Sequence, residues 1–469
     1  RHGCMEAASE DTKLLSREEK LAPQSEEGLS SWIRQVIIAG AGFLADAYDL
    51  FVIDLVLSIL HRLHPEGGIG PAEKSLVASA TLVGAVAGQI GFGLLGDWLG
   101  RKWTFLVTCF LIVFGALGSA CVVWNDGPFS LVIQLALCRF FLGVGVGGEY
   151  PLAATIVAES SDTVTRGRLI AAVFSMQGWG MLLSCVLTLL FLACSMPLEA
   201  IWRTLLALGA VPSALVIYMR SKMEETEMFL ESHEKESVEG VGPSFCQHVA
   251  NMGRTLAHFW KPMVGTTMTW LLLDVTFYGT GSFKSRITGF LIESEAERDR
   301  DEVRHEALLA MYIVFMAIPG YLLSIYLIER VGRYRLQFWG FVAMAVNFFL
   351  VACLESVLKG NARWVLIIFF GLTFLFSNLG PNTTTFAIPV EVYPTIIRAT
   401  CHGLSAAAGK IGAVIGAAAF SPLEDAVGIG PVLISCGVVA LTGAGFTYFF
   451  TSDQVLDLSV LDKAAREKA

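Results

Sequence analysis

Apolar runs of about 20 residues follow one another along almost the whole chain, each long enough to cross roughly 30 Å of hydrocarbon as an α-helix. Twelve are counted, roughly at 36–60, 75–96, 103–124, 130–157, 169–195, 201–219, 262–283, 307–328, 336–354, 364–390, 400–420 and 430–451. Of 469 residues 54% are hydrophobic and only 16% charged, whereas a soluble domain carries about 25% charged residues. A large soluble protein with buried helices is disfavoured, because such helices seldom reach this length without a polar stripe. The expected fold is an all-α membrane protein.

The runs also repeat in the same direction. Asp97, Gly100 and Arg101 in GDWLGRK are matched by Glu329, Gly332 and Arg333 in IERVGRY. Glu159 and Arg166 are matched by Glu391 and Arg398, and all five pairs share one offset of 232 positions. Such a repeat implies two six-helix bundles with a site at mid-membrane between them.

The chain divides accordingly into a tail over 1–31, a bundle over 32–219, a linker over 220–260, a second bundle over 261–451 and a tail over 452–469. The first tail lacks the apolar core of a secretory signal and reads as disordered. Its Glu10 to Leu15 stretch resembles an acidic dileucine sorting signal. The linker holds the charged run Glu224 to Glu239, and it is expected to let the bundles rock independently. Orientation follows from lysine and arginine. Arg101, Lys102, Arg166, Arg168, Arg330, Arg333, Arg335 and Arg398 fall in loops on one side. Both termini and the linker are therefore expected in the cytoplasm. The plasma membrane is the expected location, with endosomal or vacuolar membrane as the alternative.

Several classes fall away. The ten cysteines are scattered without CxxC spacing, so neither a disulfide framework nor a metal site is expected. GVGVGG at 143–148 lacks the Gly-Lys-Ser/Thr of a nucleotide loop and reads as close helix packing. No cofactor, nucleic-acid partner or covalent catalysis is expected.

Ionisable residues inside the runs are more revealing. Asp46 and Asp49 lie in the first, Arg139 and Glu149 in the fourth, Asp274 in the seventh and Lys410 in the eleventh. A charge at bilayer centre costs about 2.5–3.5 kcal/mol, so each needs a partner or a function. The opposite-sign candidates are Asp274 with Lys410, and Arg139 with Glu149 or Asp46. Trp270, Asp274 and Tyr278 recur every four residues and so share one helix face. With Tyr150, Gln177 and Asn382 they form a donor-rich set around one fixed cation, which suits an oxyanion. At the loops, Asp97 can bond to a helix N-terminus or a basic group of the opposing bundle. Glu159 with Arg166, and Glu391 with Arg398, are expected to bridge neighbouring helix ends. Together with Arg101, Glu329 and Arg333 these are the expected gating residues.

Gly93-x-x-x-Asp97-x-x-Gly100-Arg101-Lys102 matches the loop signature of the major facilitator superfamily. The stretches FLADAYDLFVIDLV, GVGVGGEYPLAATIVAE, AAVFSMQGWG, WLLLDVTFYG and LGPNTTTFAIPVEVYPTIIRATCHGLSAAAGKIGA closely resemble its phosphate:proton symporters, from Trp32 to Phe450. The resemblance implies phosphate contacts from Tyr150, Gln177, Trp270, Asp274, Tyr278 and Asn382. It pairs Lys410 with Asp274 or with substrate, and it assigns proton transfer to Asp46, Asp49 and the acid at 149. The physical reading adds Asp274, expected to take a proton when phosphate competes for Lys410, and Arg139, expected to hold Asp46 or Glu149 ionised until the proton route is needed. Two departures stand out: GGEYP where the family usually has GGDYP, and GTGSFKS after Tyr278.

The expected function is therefore proton-coupled import of inorganic phosphate by alternating access. The alternatives are a proton-coupled carrier of glycerophosphodiesters or other organophosphates, and a transporter-like phosphate sensor. A sugar or polyol carrier is disfavoured by Asp274 opposite Lys410.

Overall fold

A computed structural model of the protein describes residues 26–63, 70–125, 130–236, 244–281, 299–357, 363–452 and 457–468. The tail through residue 25, with the dileucine-like stretch, lies outside the described residues, as do residues 282–298 of the loop after the seventh span.

Every described element is an α-helix, as hydrocarbon demands of a backbone whose polar groups must be satisfied internally. The first half contains α1 (Glu26–Leu63), α2 (Pro71–Leu99), α3 (Arg101–Ala120), α4 (Leu131–Glu159), α5 (Arg166–Ala193) and a sixth segment broken at Gly209 into α6 (Leu198–Leu208) and α7 (Ala210–Ser221). Between the halves lie α8 (Glu227–Glu236) and α9 (Phe245–His258). The second half contains α10 (Trp260–Gly281), α11 (Asp299–Val331), α12 (Arg333–Val357), a tenth segment broken at Gly380 into α13 (Arg363–Leu379) and α14 (Pro381–Val392), α15 (Arg398–Val427) and α16 (Ile429–Phe450). A last helix, α17 (Leu458–Lys468), follows. Ten of the twelve segments are long and apolar enough to span a membrane by composition alone. The other two, α1 and α10, carry the intramembrane carboxylates Asp46, Asp49, Asp54 and Asp274.

The burial pattern is inverted relative to a soluble protein. Phe449, Leu215 and Trp103 are 75%, 69% and 64% exposed, while Arg139, Glu149, Arg220 and Asp49 are almost completely enclosed. An integral membrane protein shows this distribution, with lipid on the outside and polar function inside.

Glycines permit the tightest contacts. A Cβ at Gly143 or Gly147 of α4 would strike the carbonyl oxygens of Thr81 and Ala85 on α2, which explains the glycine-rich stretch by packing. Gly100 and Gly332, repeat counterparts, take φ of 100° and 94° where the short signature loops reverse the chain. The repeat also organises the seams between halves: α2 packs on α15, and its equivalent α11 packs on α5.

The linker expectation needs correction at its first residue. Arg220 is part of α7 and is 1% exposed, inside the first bundle. Nor is the linker a free tether. Glu225 accepts from the backbone N–H groups of Arg101 and Lys102 at 3.0 and 3.1 Å, capping α3. Phe229 stacks under the Arg101 guanidinium, and Met252 of α9 packs with Tyr393, Ile397 and Cys401 of the second half.

Candidate functional site

The centre of the site is a buried lysine. Lys410 Nζ on α15 donates to Asp274 Oδ2 at 3.3 Å and to the Tyr278 hydroxyl at 3.1 Å, both on α10. It lies 4.9 Å from the Tyr278 ring centroid and 5.4 Å from that of Tyr150, which α4 supplies from the other half. Trp270 reaches this group because Gly409 leaves its side-chain position to the indole. Phe386 packs edge-on against Tyr150, Trp270 and His402, forming an aromatic floor to the site.

Around the lysine stand polar groups in need of partners. Asn382 Nδ2 donates to Asn378 Oδ1 at 2.6 Å. Gln177 Oε1 on α5 is buried without a hydrogen bond. The hydroxyl of Tyr321 on α11 is also buried without a close hydrogen bond, and the Asn382 side chain interacts with it. Tyr321 enters because its counterparty across the seam is Gly178, whose missing Cβ would sit 3.0 Å from the phenol ring. A cavity of about 270 Å³ extends from Tyr278 past Phe51 and Asp54 toward the end opposite the signature loops, and a second of about 200 Å³ runs from Phe51 past Asp54 to Glu306. At that end Arg62 of the first half pairs with Glu302 and Glu306 of the second, and Arg300 donates to the Leu192 carbonyl at 3.2 Å.

A second cluster lies inside the first half. Arg139 was expected opposite Glu149 or Asp46, and it makes neither pair. Its Nη1 donates to the backbone carbonyl of Asp49 at 2.9 Å. Glu149 instead receives Arg220 through both terminal nitrogens, Nη2 to Oε2 at 2.8 Å, with Thr108 Oγ1 donating to Oε1 at 2.8 Å. The reason is register: Arg139 stands ten residues, almost three turns, before Glu149 on the same helix, and so cannot reach it.

The signature loops meet at one end. Asp97 accepts from the N–H groups of Ala399 and Thr400 at 3.2 and 2.8 Å, at the start of α15. Its counterpart Glu329 accepts from Arg168 N at 3.1 Å, at the start of α5. These are one contact drawn twice by the repeat, a carboxylate on a helix N-terminus. Arg101 pairs with Asp97 and Glu159 at 3.2 and 3.0 Å, and Arg333 pairs with Glu329 and, at 2.8 Å, with Glu391.

The expected pairs Glu159–Arg166 and Glu391–Arg398 do not form. Both arginines turn back onto the preceding loop or helix end, Arg166 Nε to Ala158 O and Arg398 Nε to Tyr393 O, each at 3.1 Å. That leaves the glutamates to the signature-loop arginines, and lets Arg398 Nη1 reach Glu159 across the seam at 2.7 Å. Thr226 of the linker donates to the other Glu159 oxygen at 2.5 Å, and Asp462 of α17 accepts from Thr395 N at 2.6 Å. Arg220, Tyr321, Glu225 and Asp462 were missed by sequence reasoning. Only Arg220 left a trace there, as a lone cation closing an apolar run.

The family model for sugar (and other) transporters matches residues 35–455. The chain belongs to this family. Among relatives in the family, the low affinity inorganic phosphate transporter 4 of Medicago truncatula is 34% identical over 435 residues, covering 82% of each chain. The putative inorganic phosphate transporter 1-13 of Oryza sativa subsp. japonica is 34% identical over 437 residues, covering 86% of each. Among solved structures, the proton:xylose symporter XylE bound to 6-bromo-6-deoxy-D-glucose superposes with a TM-score of 0.74 at 19% identity, covering 92% of this chain and 99% of that one. The fold is therefore that of the major facilitator superfamily, and the family's members are transporters.

Proposed function

We propose that this protein imports inorganic phosphate together with protons by alternating access. The observation that carries the reading is Lys410: one buried cation held between a carboxylate and two phenols, where both halves meet, below cavities that lead to one end of the molecule. Relatives named as inorganic phosphate transporters support the choice of anion.

In the empty site Lys410 neutralises Asp274. An entering phosphate competes for the ammonium, and Asp274 then takes a proton and donates a hydrogen bond to a phosphate oxygen. Anion and proton binding are thereby linked. Tyr150, Gln177, Trp270, Tyr278 and Asn382 supply the remaining contacts. Asp46, Asp49 and Glu149, with Arg139, carry the proton to one side. Asp97, Arg101, Glu159, Arg166, Glu329, Arg333, Glu391 and Arg398 gate the cytoplasmic end, where the termini and linker lie. The membrane is the plasma membrane.

A second reading has one observation in its favour. The cavities beyond Tyr278 are lined largely by apolar groups, Phe51, Met181, Phe277 and Ile313 among them, and offer room for the organic part of a phosphodiester. Uptake of labelled phosphate into proteoliposomes under an imposed pH gradient, with glycerophosphocholine as competitor, separates the two. Saturable uptake insensitive to glycerophosphocholine supports phosphate, and strong competition promotes the phosphodiester.

A further inference from the structure

Glu149 belongs to a cluster larger than one ion pair. The Arg220 guanidinium that grips it also lies 3.5 Å from the Phe105 ring centroid, and its Nη1 is 2.7 Å from Cys109 Sγ. The pair rests directly on α1. A Cβ on Gly42 would come 2.6 Å from Glu149 Oε2 and would collide with Arg220 Nη2. One turn further along the same face stands Asp46, 1% exposed, with no hydrogen-bond partner at either carboxyl oxygen. A buried carboxylate with neither cation nor donor is costly, whereas a protonated carboxyl is not.

The other charged and titratable groups around the cluster are Asp49 and Tyr48 of α1 and Arg139 and Tyr150 of α4, the last of these facing both Asp46 and Lys410. Tyr48 donates to the Leu205 carbonyl, and Arg139 holds the Asp49 carbonyl. Neither reaches Asp46. Arg220 itself stands in the last turn of α7, where the sixth segment ends, so its long side chain can change partner without a shift of the span.

We propose that Arg220 is the switching cation of proton coupling: its guanidinium rests on one of two carboxyl groups, Glu149 or Asp46, and the transported proton rests on the other. The step balances. When the guanidinium moves from Glu149 to Asp46, the O–H bond of Asp46 breaks and an O–H bond forms on Glu149. Two carboxyls, one guanidinium and one proton are present before and after, so no net charge appears in the low-dielectric interior. The added methylene of Glu149, relative to the aspartate of the resembled family, gives the carboxyl the reach to engage both nitrogens of Arg220.

This inference rests on the proton-coupled phosphate reading, and its test keeps the two apart. The variant is the double change Glu149→Gln with Arg220→Gln, which leaves no uncompensated buried charge. Phosphate self-exchange at equal pH needs no net release of the proton, whereas accumulation in a pH gradient does. The double variant is expected to lose at least about tenfold in accumulation while exchange falls by less than about threefold, a difference of order 1 kcal/mol by the usual conversion. Arg220→Lys, which keeps the charge without the fork, is expected to displace the pH profile of accumulation. Wild-type accumulation by the double variant, a folded double variant without exchange, or an unmoved profile in Arg220→Lys would each overturn the switch alone. An unmutated protein that exchanges no phosphate would overturn the phosphate reading and this inference with it.

Discussion

Arg398 of the second half reaches Glu159 of the first at 2.7 Å, whereas its repeat counterpart Arg166 donates to carbonyl oxygens of its own half. The repeat thus supplies two equivalent gates, but the close ion pair that Arg398 makes with Glu159 across the seam is not reproduced by Arg166 with Glu391. Truncating one partner of a buried pair exposes the other to a large penalty. Arg398→Ala is therefore expected to slow uptake at least about tenfold more than Arg166→Ala, an effect of about 1.4 kcal/mol on the closed state. Equilibrium phosphate binding should stay near normal in both, because neither lies at mid-membrane. Initial uptake rates and binding by calorimetry check this; an affinity loss with normal turnover would remove these residues from the gate.

Asp274→Asn fills the same helix face and mimics the protonated acid. It is expected to retain phosphate binding and to lose accumulation driven by a pH gradient. Uptake measured with and without the gradient decides the matter. Undiminished accumulation would move coupling to Asp46 and Glu149 alone.

Tyr321 presents a buried hydroxyl without a close hydrogen bond, in reach of the Asn382 side chain and across the seam from Gly178. A phosphate oxygen would satisfy it. Tyr321→Phe keeps the ring packed on Phe174 and should weaken phosphate affinity by roughly tenfold or more, since hydrogen bonds to charged groups contribute about 1.5–3 kcal/mol. Unchanged affinity would place the phenol outside the site.

Glu149→Asp draws the carboxyl back by roughly 1.5 Å, one carbon–carbon bond. The two-nitrogen contact with Arg220 cannot then survive intact. A displaced pH optimum with unchanged substrate preference is expected. A shift in preference toward glycerophosphocholine, read by competition, would make position 149 part of the pocket wall instead.

The sequence carried the helical architecture because lipid allows few alternatives and because the apolar runs are long. It also carried Lys410, Asp274, Tyr150 and Trp270, since a charge in a span or a polar stripe at helical spacing is conspicuous. Pairing was less legible. Glu159 and Arg166 are near neighbours in the chain, yet the arginine folds back on the helix end and the glutamate turns to Arg101. Arg220 looked like the first residue of a polar linker because a cation ends the apolar run there, whereas the helix continues through it to Ser221. Tyr321 gave no signal, as a tyrosine in an apolar run is usually packing; only the glycine opposite reveals its direction. Glu225 and Asp462 lie in charged stretches where no single carboxylate stands out, and only folding sets the first on the N-terminus of α3 and the second on Thr395 in the turn before α15.

The central claim is that a single buried lysine selects an oxyanion between the two halves. Uptake of labelled phosphate by proteoliposomes in a pH gradient, compared between the unmutated protein and Lys410→Ala, tests it most directly. Saturable, gradient-driven uptake in the first and none in the folded variant is the expected result. Phosphate uptake of undiminished affinity in Lys410→Ala would contradict the oxyanion site.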